Sequence, residues 1–175
     1  MKVMFHQKGD KIMLVPAIVY KDQIEKQFAK RMYDDDMLYY QGYAHGHEMT
    51  EIKPRDNLYQ WAIVGENDNL IGYFSYRIDP ATDNVYNFGL YSFDKGNALV
   101  AHNVFKKMRE LIEEHHRVEW RCVSGNPALR GYESFATRIA EEIPYLRLNI
   151  HQMIDVTKDN QGRYHDEYVF EIVWR

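Results

Sequence analysis

The sequence predicts an α/β (α+β) domain whose sheet is mixed but mostly antiparallel. Three observations carry this. Apolar runs at 58–65, 70–78 and 84–92 are separated by the turn-forming stretches ENDN and DPATD. A strand–helix–strand unit follows from 84 to 124, and two alternating strands, 146–156 and 164–174, close the chain. With 175 residues the chain is expected to form one domain, 1–175, and is long enough to bury a sizeable core.

The elements follow in order. Residues 11–20 (KIMLVPAIVY) are apolar on both faces and predict a covered strand. From Lys21 to about Tyr40 the apolar residues Ile24, Phe28, Met32 and Met37 fall near one helical face. The stretch 41–57 has no clean period and carries glycines and Pro54, so it predicts an irregular loop, long enough to be a substrate-facing segment. After the three-strand meander, the helix of 97–116 starts on a capping residue, Asn97. Its Ala101, Val104, Phe105, Met108, Leu111 and Ile112 share one face, opposite Lys106, Lys107, Glu110 and Glu114. In 117–124 Val118, Trp120 and Cys122 alternate with Glu119, Arg121 and Val123, as in a strand. Asn126-Pro127 then predicts a helix start, with Leu129, Tyr132, Phe135, Ala136 and Ile139 buried and Pro144 as its stop. Gly162 marks the last turn, and Asp166, Tyr168, Phe170, Ile172 and Trp174 share a face of the final strand. A strand-to-strand connection through the helix of 97–116 makes the flanking pair parallel and right-handed.

Composition excludes several classes. A net charge of −4 with no basic stripe disfavours a nucleic-acid partner. The longest apolar stretch contains Pro16 and falls far short of the ~20 residues of a membrane helix. The single cysteine, Cys122, cannot form an internal disulfide, which suits a reducing, cytoplasmic setting. Neither a Walker A run nor G-x-G-x-x-G is present, so ATP and dinucleotide binding gain no support.

Three patches resemble one family. The window Phe93-Asp94-Lys95-Gly96-Asn97-Ala98, between a strand and a helix, resembles the pyrophosphate loop Gln/Arg-x-x-Gly-x-Gly/Ala of the GNAT superfamily of acetyl-CoA-dependent N-acetyltransferases. Gly96 and Ala98 match, while Phe93 stands where Gln or Arg is usual. The segment GNPALRGYESF at 125–135 resembles the family's fourth-helix motif, with the Asn-to-Tyr spacing one residue short. GRYHDEYVFEIV at 162–173 resembles its C-terminal strand. The likeness spans roughly residues 10–174.

The resemblance implies a mixed sheet flanked by helices on both faces, acetyl-CoA as co-substrate and direct attack by an amine on the thioester. A strand-to-helix turn with small residues leaves amide N–H groups and the positive end of the helix open to a diphosphate. The residues implied for that role are Lys95, Gly96, Asn97, Ala98 and Leu99. Backbone N–H groups of Leu90, Tyr91 and Ser92 are implied to receive the developing oxyanion, Asn126 to meet the pantetheine, and Tyr132 to protonate the departing sulfur. Each has a plainer reading beside it: an ordinary turn for the loop, an N-cap for Asn126, core packing for Tyr132.

Other constellations are weaker. His45-Gly46-His47-Glu48 contains metal-ligand types, but no second cluster has metal spacing, and no metal is expected. The run 34–36 (DDD) either attracts a cationic amine or is a charged helix end. Met32, Met37, Tyr39, Tyr40 and Tyr43 either line an acceptor pocket or pack. Cys122 is expected to be buried and not a nucleophile. The leading expectation is an N-acetyltransferase acting on a small-molecule or peptide amine, with a homodimer credible from the aromatic end strands. The alternative is a non-catalytic CoA-binding or interaction protein on the same scaffold.

Overall fold

A computed structural model describes residues 13–41 and 51–175. The chain enters on a short strand, β1 (Met13–Pro16), and at Ala17–Tyr20 coils into a 3-10 turn. The strand expected over 11–20 thus ends at Pro16, which cannot donate to a ladder and starts the turn instead, while 11 and 12 lie outside the described residues. Helix α1 (Lys21–Arg31) buries Ile24 and Phe28, one turn apart. It stops short of the expected Tyr40. Asp34, Asp35 and Asp36 repel one another and favour local turns, so the backbone turns there and restarts as a short helix, α2 (Met37–Gln41).

Strands β2 (Leu58–Val64), β3 (Leu70–Asp79) and β4 (Asn84–Ser92) form the expected meander. Helix α3 (Ala98–Glu114), strand β5 (Arg117–Val123), helix α4 (Leu129–Glu142) and the long hairpin β6 (Leu146–Lys158)–β7 (Tyr164–Trp174) complete the fold. The seven strands lie in the order β1-β2-β3-β4-β5-β7-β6. Only the β4–β5 contact is parallel.

One apolar core covers one face of the sheet, and a second covers the other face of β1–β4. One packs α3 and α4 on the face that carries Phe74, Val85, Val118, Trp120, Phe170 and Ile172. The other packs the 3-10 turn, α1 and α2 on Ala62, Val64, Tyr73 and Tyr91. Alternation along each strand produces both, since successive side chains point to opposite faces.

The feature that shapes the molecule is a split. Strands β4 and β5 pair only at Asn84↔Arg117 and Val85↔Val118. From there β4 stays with β3 to Ser92, and β5 stays with β7 to Val123. Just past the last shared pair β4 bulges: between Tyr86 and Gly89, Asn87 and Phe88 face the single residue Tyr76. Asn87 takes a left-handed φ of 54°, which asparagine tolerates better than most residues. The bulge bends β4 away from β5 and opens the sheet toward the carboxyl ends of both strands. In open α/β sheets that end, where neighbouring connections diverge, is where ligands bind.

Candidate functional site

The ladder fixes which β4 amides face the split. Phe93 donates its N–H to Ile71 O at 2.8 Å, so Phe93, Tyr91 and Gly89 direct their backbone groups toward β3. Leu90 and Ser92, in between, direct theirs toward β5, at a level where β5 supplies no partner. Of the three implied oxyanion donors, Leu90 and Ser92 are thus aimed at the split. Tyr91 is not: its amide belongs to the β3 ladder and its side chain is in the α1–α2 core.

Beyond Ser92 the chain turns tightly into α3. Asp94 N–H bonds to Ile71 O at 3.2 Å, Asn97 N–H to Asp94 O at 3.2 Å, and Ser92 Oγ donates to Asp94 O at 2.7 Å. Asn97 is the N-cap, its Oδ1 accepting from Leu99 N–H at 3.1 Å. Gly96 has φ +83°, and a Cβ built there meets nothing within 4 Å. Among the described residues no partner takes the N–H groups of Gly96 and Ala98. Two N–H groups at a helix start are thus left unpaired, an arrangement that suits an anion.

Phe93 and Asp94 are the side chains of the loop best placed to plug this cradle. Phe93 does not: its ring is buried edge-on against Phe28, 5.5 Å between centroids, on the α1 side. Asp94 accepts from Asn97 Nδ2 at 2.9 Å, which holds its carboxylate against the cap residue. Lys95 is turned from the cradle toward Asp36, with Nζ 2.9 Å from Oδ2. That contact raises the Lys95 pKa, chiefly through the hydrogen bond to Asp36. Leu99 lies half exposed on the first turn of α3.

Across the split, Asn126 does not cap α4 as expected. Its Oδ1 accepts from Ala128 N–H at 2.9 Å in an Asx turn, and the helix starts two residues later with Ala128 at the cap position. The turn consumes the oxygen and leaves the Asn126 amide nitrogen as a donor. Tyr132, on the first turn of α4, packs among Phe105, Trp120 and Phe170 at 5.6, 6.3 and 6.4 Å between centroids. Burial, with a smaller contribution from Cys122, drives its phenol pKa well above the ordinary value, so it keeps its proton. Cys122 is buried, and burial, then the charges of Glu133 and Glu167, push its thiol up to about 12. A thiol at that value is not a nucleophile.

Two residues of the α1–α2 region join the site, Arg31 without any local sequence signal and Asp36 from the acidic run 34–36. Arg31 donates from Nη2 to Phe93 O at 3.1 Å and lies 5.7 Å over the Phe93 ring. It places a guanidinium on the residue that stands where the family has Gln or Arg. Asp36 accepts from the Tyr91 hydroxyl at 3.2 Å as well as from Lys95. Next to it, Tyr40 rests on Gly89 of β4, where an added Cβ would lie 3.1 Å from the ring, and the Tyr39 hydroxyl reaches Gly125 after β5. The segment 36–40 therefore touches both lips of the split. Met32 lies at the end of α1, and Met37 is in the core. Tyr43, His45, Gly46, His47 and Glu48 lie outside the described residues. Among the described residues no three His, Cys, Asp or Glu side chains form a metal-holding group. No described helix is long and apolar enough to cross a membrane.

The seven-stranded, mostly antiparallel sheet with its helices is similar in fold to solved acetyltransferases, a GNAT-family one among them. The chain is similar over 94% of its length, and 93% of the other, to the microcin C7 self-immunity acetyltransferase MccE, solved with acetyl-CoA and AMP, at 16% identity and a TM-score of 0.64. A probable GNAT-family acetyltransferase from Chromobacterium violaceum matches at 17% identity and TM-score 0.59, over 95% of this chain and 89% of that one. The spermidine/spermine N-acetyltransferase SpeG from Vibrio cholerae matches at 14% and 0.51, over 87% and 74%. No family model matches the sequence, and no curated protein does. At these identities the likeness is one of fold.

Proposed function

We propose that the protein is an N-acetyltransferase that moves an acetyl group from acetyl-CoA to an amine. The observation that carries this is the open left-handed turn at Gly96, placed where the β4–β5 split meets the start of α3. The cradle fits a diphosphate because nothing fills it: an added Cβ at Gly96 meets only open space, and Ala98 is the smallest side chain after glycine. The N–H groups of Gly96 and Ala98, with Lys95 and Arg31 nearby, would hold the diphosphate, and the Asn126 amide nitrogen a carbonyl of the pantetheine arm.

Acetyl-CoA supplies an activated acyl carbon: the alkylammonium loses one proton to solvent, a C–N bond forms from the free amine, the C–S bond breaks, and the second amine proton ends on the thiolate, leaving amide and thiol. The chain's own groups assist in three ways. The Leu90 and Ser92 N–H groups give hydrogen bonds to an oxygen that becomes anionic, and one such donor is worth ~3 kcal/mol in well-studied sites. The Tyr132 phenol, which burial makes a weaker acid than usual, gives a hydrogen bond to sulfur as charge builds there. The rings of Phe105, Trp120 and Phe170 pack on that of Tyr132 and hold it in place.

The test is thermal shift. A ligand that binds only the folded chain raises its Tm, so acetyl-CoA should raise it while NAD and ATP should not. Gly96→Glu should abolish the shift by filling the cradle. Gly96→Asn, which accepts a positive φ, should retain most stability and separates backbone strain from blockage. A chain indifferent to every CoA ester is an interaction protein on this scaffold.

A further inference from the structure

We propose that the outer edge of β6 is a dimerisation surface, on which β6 of a second copy of this chain lies antiparallel about a two-fold axis near Ile150. The phase of the ladder shows which groups are open there. Arg175 N–H bonds Tyr145 O at 2.9 Å and Trp174 N–H bonds His116 O at 3.0 Å, so the odd-numbered residues of β6 face β7 as far as Met153. Leu146, Leu148, Ile150 and Gln152 direct their N–H and C=O groups outward, where the described sheet ends. Natural edges are blunted by charged residues, proline or short length. From Leu148 to Ile154 (LNIHQMI) this one has no Asp, Glu, Lys, Arg or Pro. It ends only at the irregularity past Met153, where Asp155 takes a φ of +55°. Its exposed side chains are apolar as well: Ile150 is 45%, Ile154 71% and Val156 51% exposed.

Length and charge commit this surface to a second copy. A strand of matching length comes from β6 itself, because β1, at the other end of the sheet, has four residues and closes on Pro16. A strand that pairs antiparallel with its own copy generates a two-fold axis, so the assembly closes at two chains. The charges then match. Arg147 bonds the Asn149 side chain at 3.1 Å, and Asp155 gives its N–H to Asp166 Oδ1 at 3.0 Å. Among the described residues Arg147 has no carboxylate partner and Asp155 no cation. The register centred on Ile150 lays that residue on its own copy and Leu148 against Gln152. It sets Arg147 against Met153, with Asp155 of the second copy on the diagonal, within reach of a long side chain. The axis repeats that opposite-charge pair at both ends of the shared ladder.

Sedimentation equilibrium of the full chain tests this. Wild type should pass from 20.9 kDa to twice that mass below about 1 mM. Ile150→Lys puts a charge on the edge without removing a bond to β7, and should weaken dimerisation by about tenfold or more. Arg147→Gln and Asp155→Asn, the second tolerant of a positive φ, should each weaken it about threefold, and the double variant no further. Crosslinking gives a readout independent of stability. Facing residues of a hydrogen-bonded antiparallel pair have Cα atoms about 5.5 Å apart, within disulfide range. Ile150→Cys should therefore give a covalent dimer on oxidation, the native Cys122 being buried. Ile18→Cys, exposed on the 3-10 turn after β1, should not. Wild type that stays monomeric to that concentration leaves the edge to a strand of another protein and overturns self-pairing. A dimer that Ile150→Lys does not weaken, or that Ile18→Cys crosslinks in place of Ile150→Cys, overturns the placement at β6. None of these readouts requires CoA, so the outcome is separate from that of the transferase reading.

Discussion

The two halves of the sheet on either side of the split are built differently. Strands β1 to β4 are covered on both faces: α3 lies on one, and α1, α2 and the 3-10 turn on the other, through the rings of Phe28, Tyr40, Tyr73, Tyr91 and Phe93. Strands β5, β7 and β6 are covered by apolar packing on one face only. Their other face carries ion pairs. Arg117 bonds Glu119 at 2.8 Å and Glu171 at 2.7 Å, Asn149 bonds Glu171 at 2.6 Å, and Arg121 reaches Glu167 at 3.4 Å. Apolar contacts add without regard to direction, whereas partly exposed ion pairs lose most of their energy to solvent. Each half is therefore held by its rings, and the seam between them is where backbone groups run out of partners and a ligand can supply them.

The strongest way to break this comparison is to empty one core at a time. Phe28→Ala on one side and Trp120→Ala on the other, both fully buried, should each lose about 3–5 kcal/mol in urea unfolding. Glu171→Gln, in the ion-pair face, should lose less than about 1 kcal/mol. Equal losses from all three would show that the charged face carries as much as the rings do.

A smaller effect sharpens the role of the seam. Tyr132→Phe keeps the ring packing and removes the donor, so turnover with an accepted amine should fall roughly a hundredfold while acetyl-CoA affinity barely changes. Turnover at wild-type level would leave Tyr132 as a core residue of α4.

The smallest effect concerns the far end of the β6–β7 hairpin. Burial works to raise the Asp159 pKa. Hydrogen bonds from Arg163 N–H, His165, the Arg163 guanidinium and Gln161 N–H outweigh it and hold the carboxyl well below the usual range. A carboxyl depressed on folding contributes stability above its unfolded pKa, near 4, and that stability is lost as pH falls toward the folded value. Asp159→Asn should therefore be less stable than wild type at neutral pH and lose less between about pH 5 and pH 2. Parallel acid profiles for the two chains would remove Asp159 from the hairpin's stability.

Local chemistry made much of this legible. The meander, the Asn97 cap and the small residues at 96 and 98 are read from neighbours within a few positions, and cap, turn and strand period are short-range effects. The errors have the same scale. Asn126 next to Pro127 reads as a cap, yet its side chain closes a turn one step earlier. The helix of 21–40 reads as continuous because its apolar spacing continues past the aspartates that break it. Arg31 and Phe93, 62 positions apart, have no shared local pattern, so the guanidinium over the loop was invisible.

By itself the sequence determined the alternation that gives each strand its buried face, and with it the order of elements and the glycine at the turn. Those depend on dihedral preference and periodicity, which act over a few residues. Only the tertiary structure decided that β4 leaves β5 after two pairs, that Phe93 turns into the α1 core, and that Asp36 meets both Tyr91 and Lys95. These depend on which distant surfaces bury one another, a competition among whole elements that no single stretch of chain encodes.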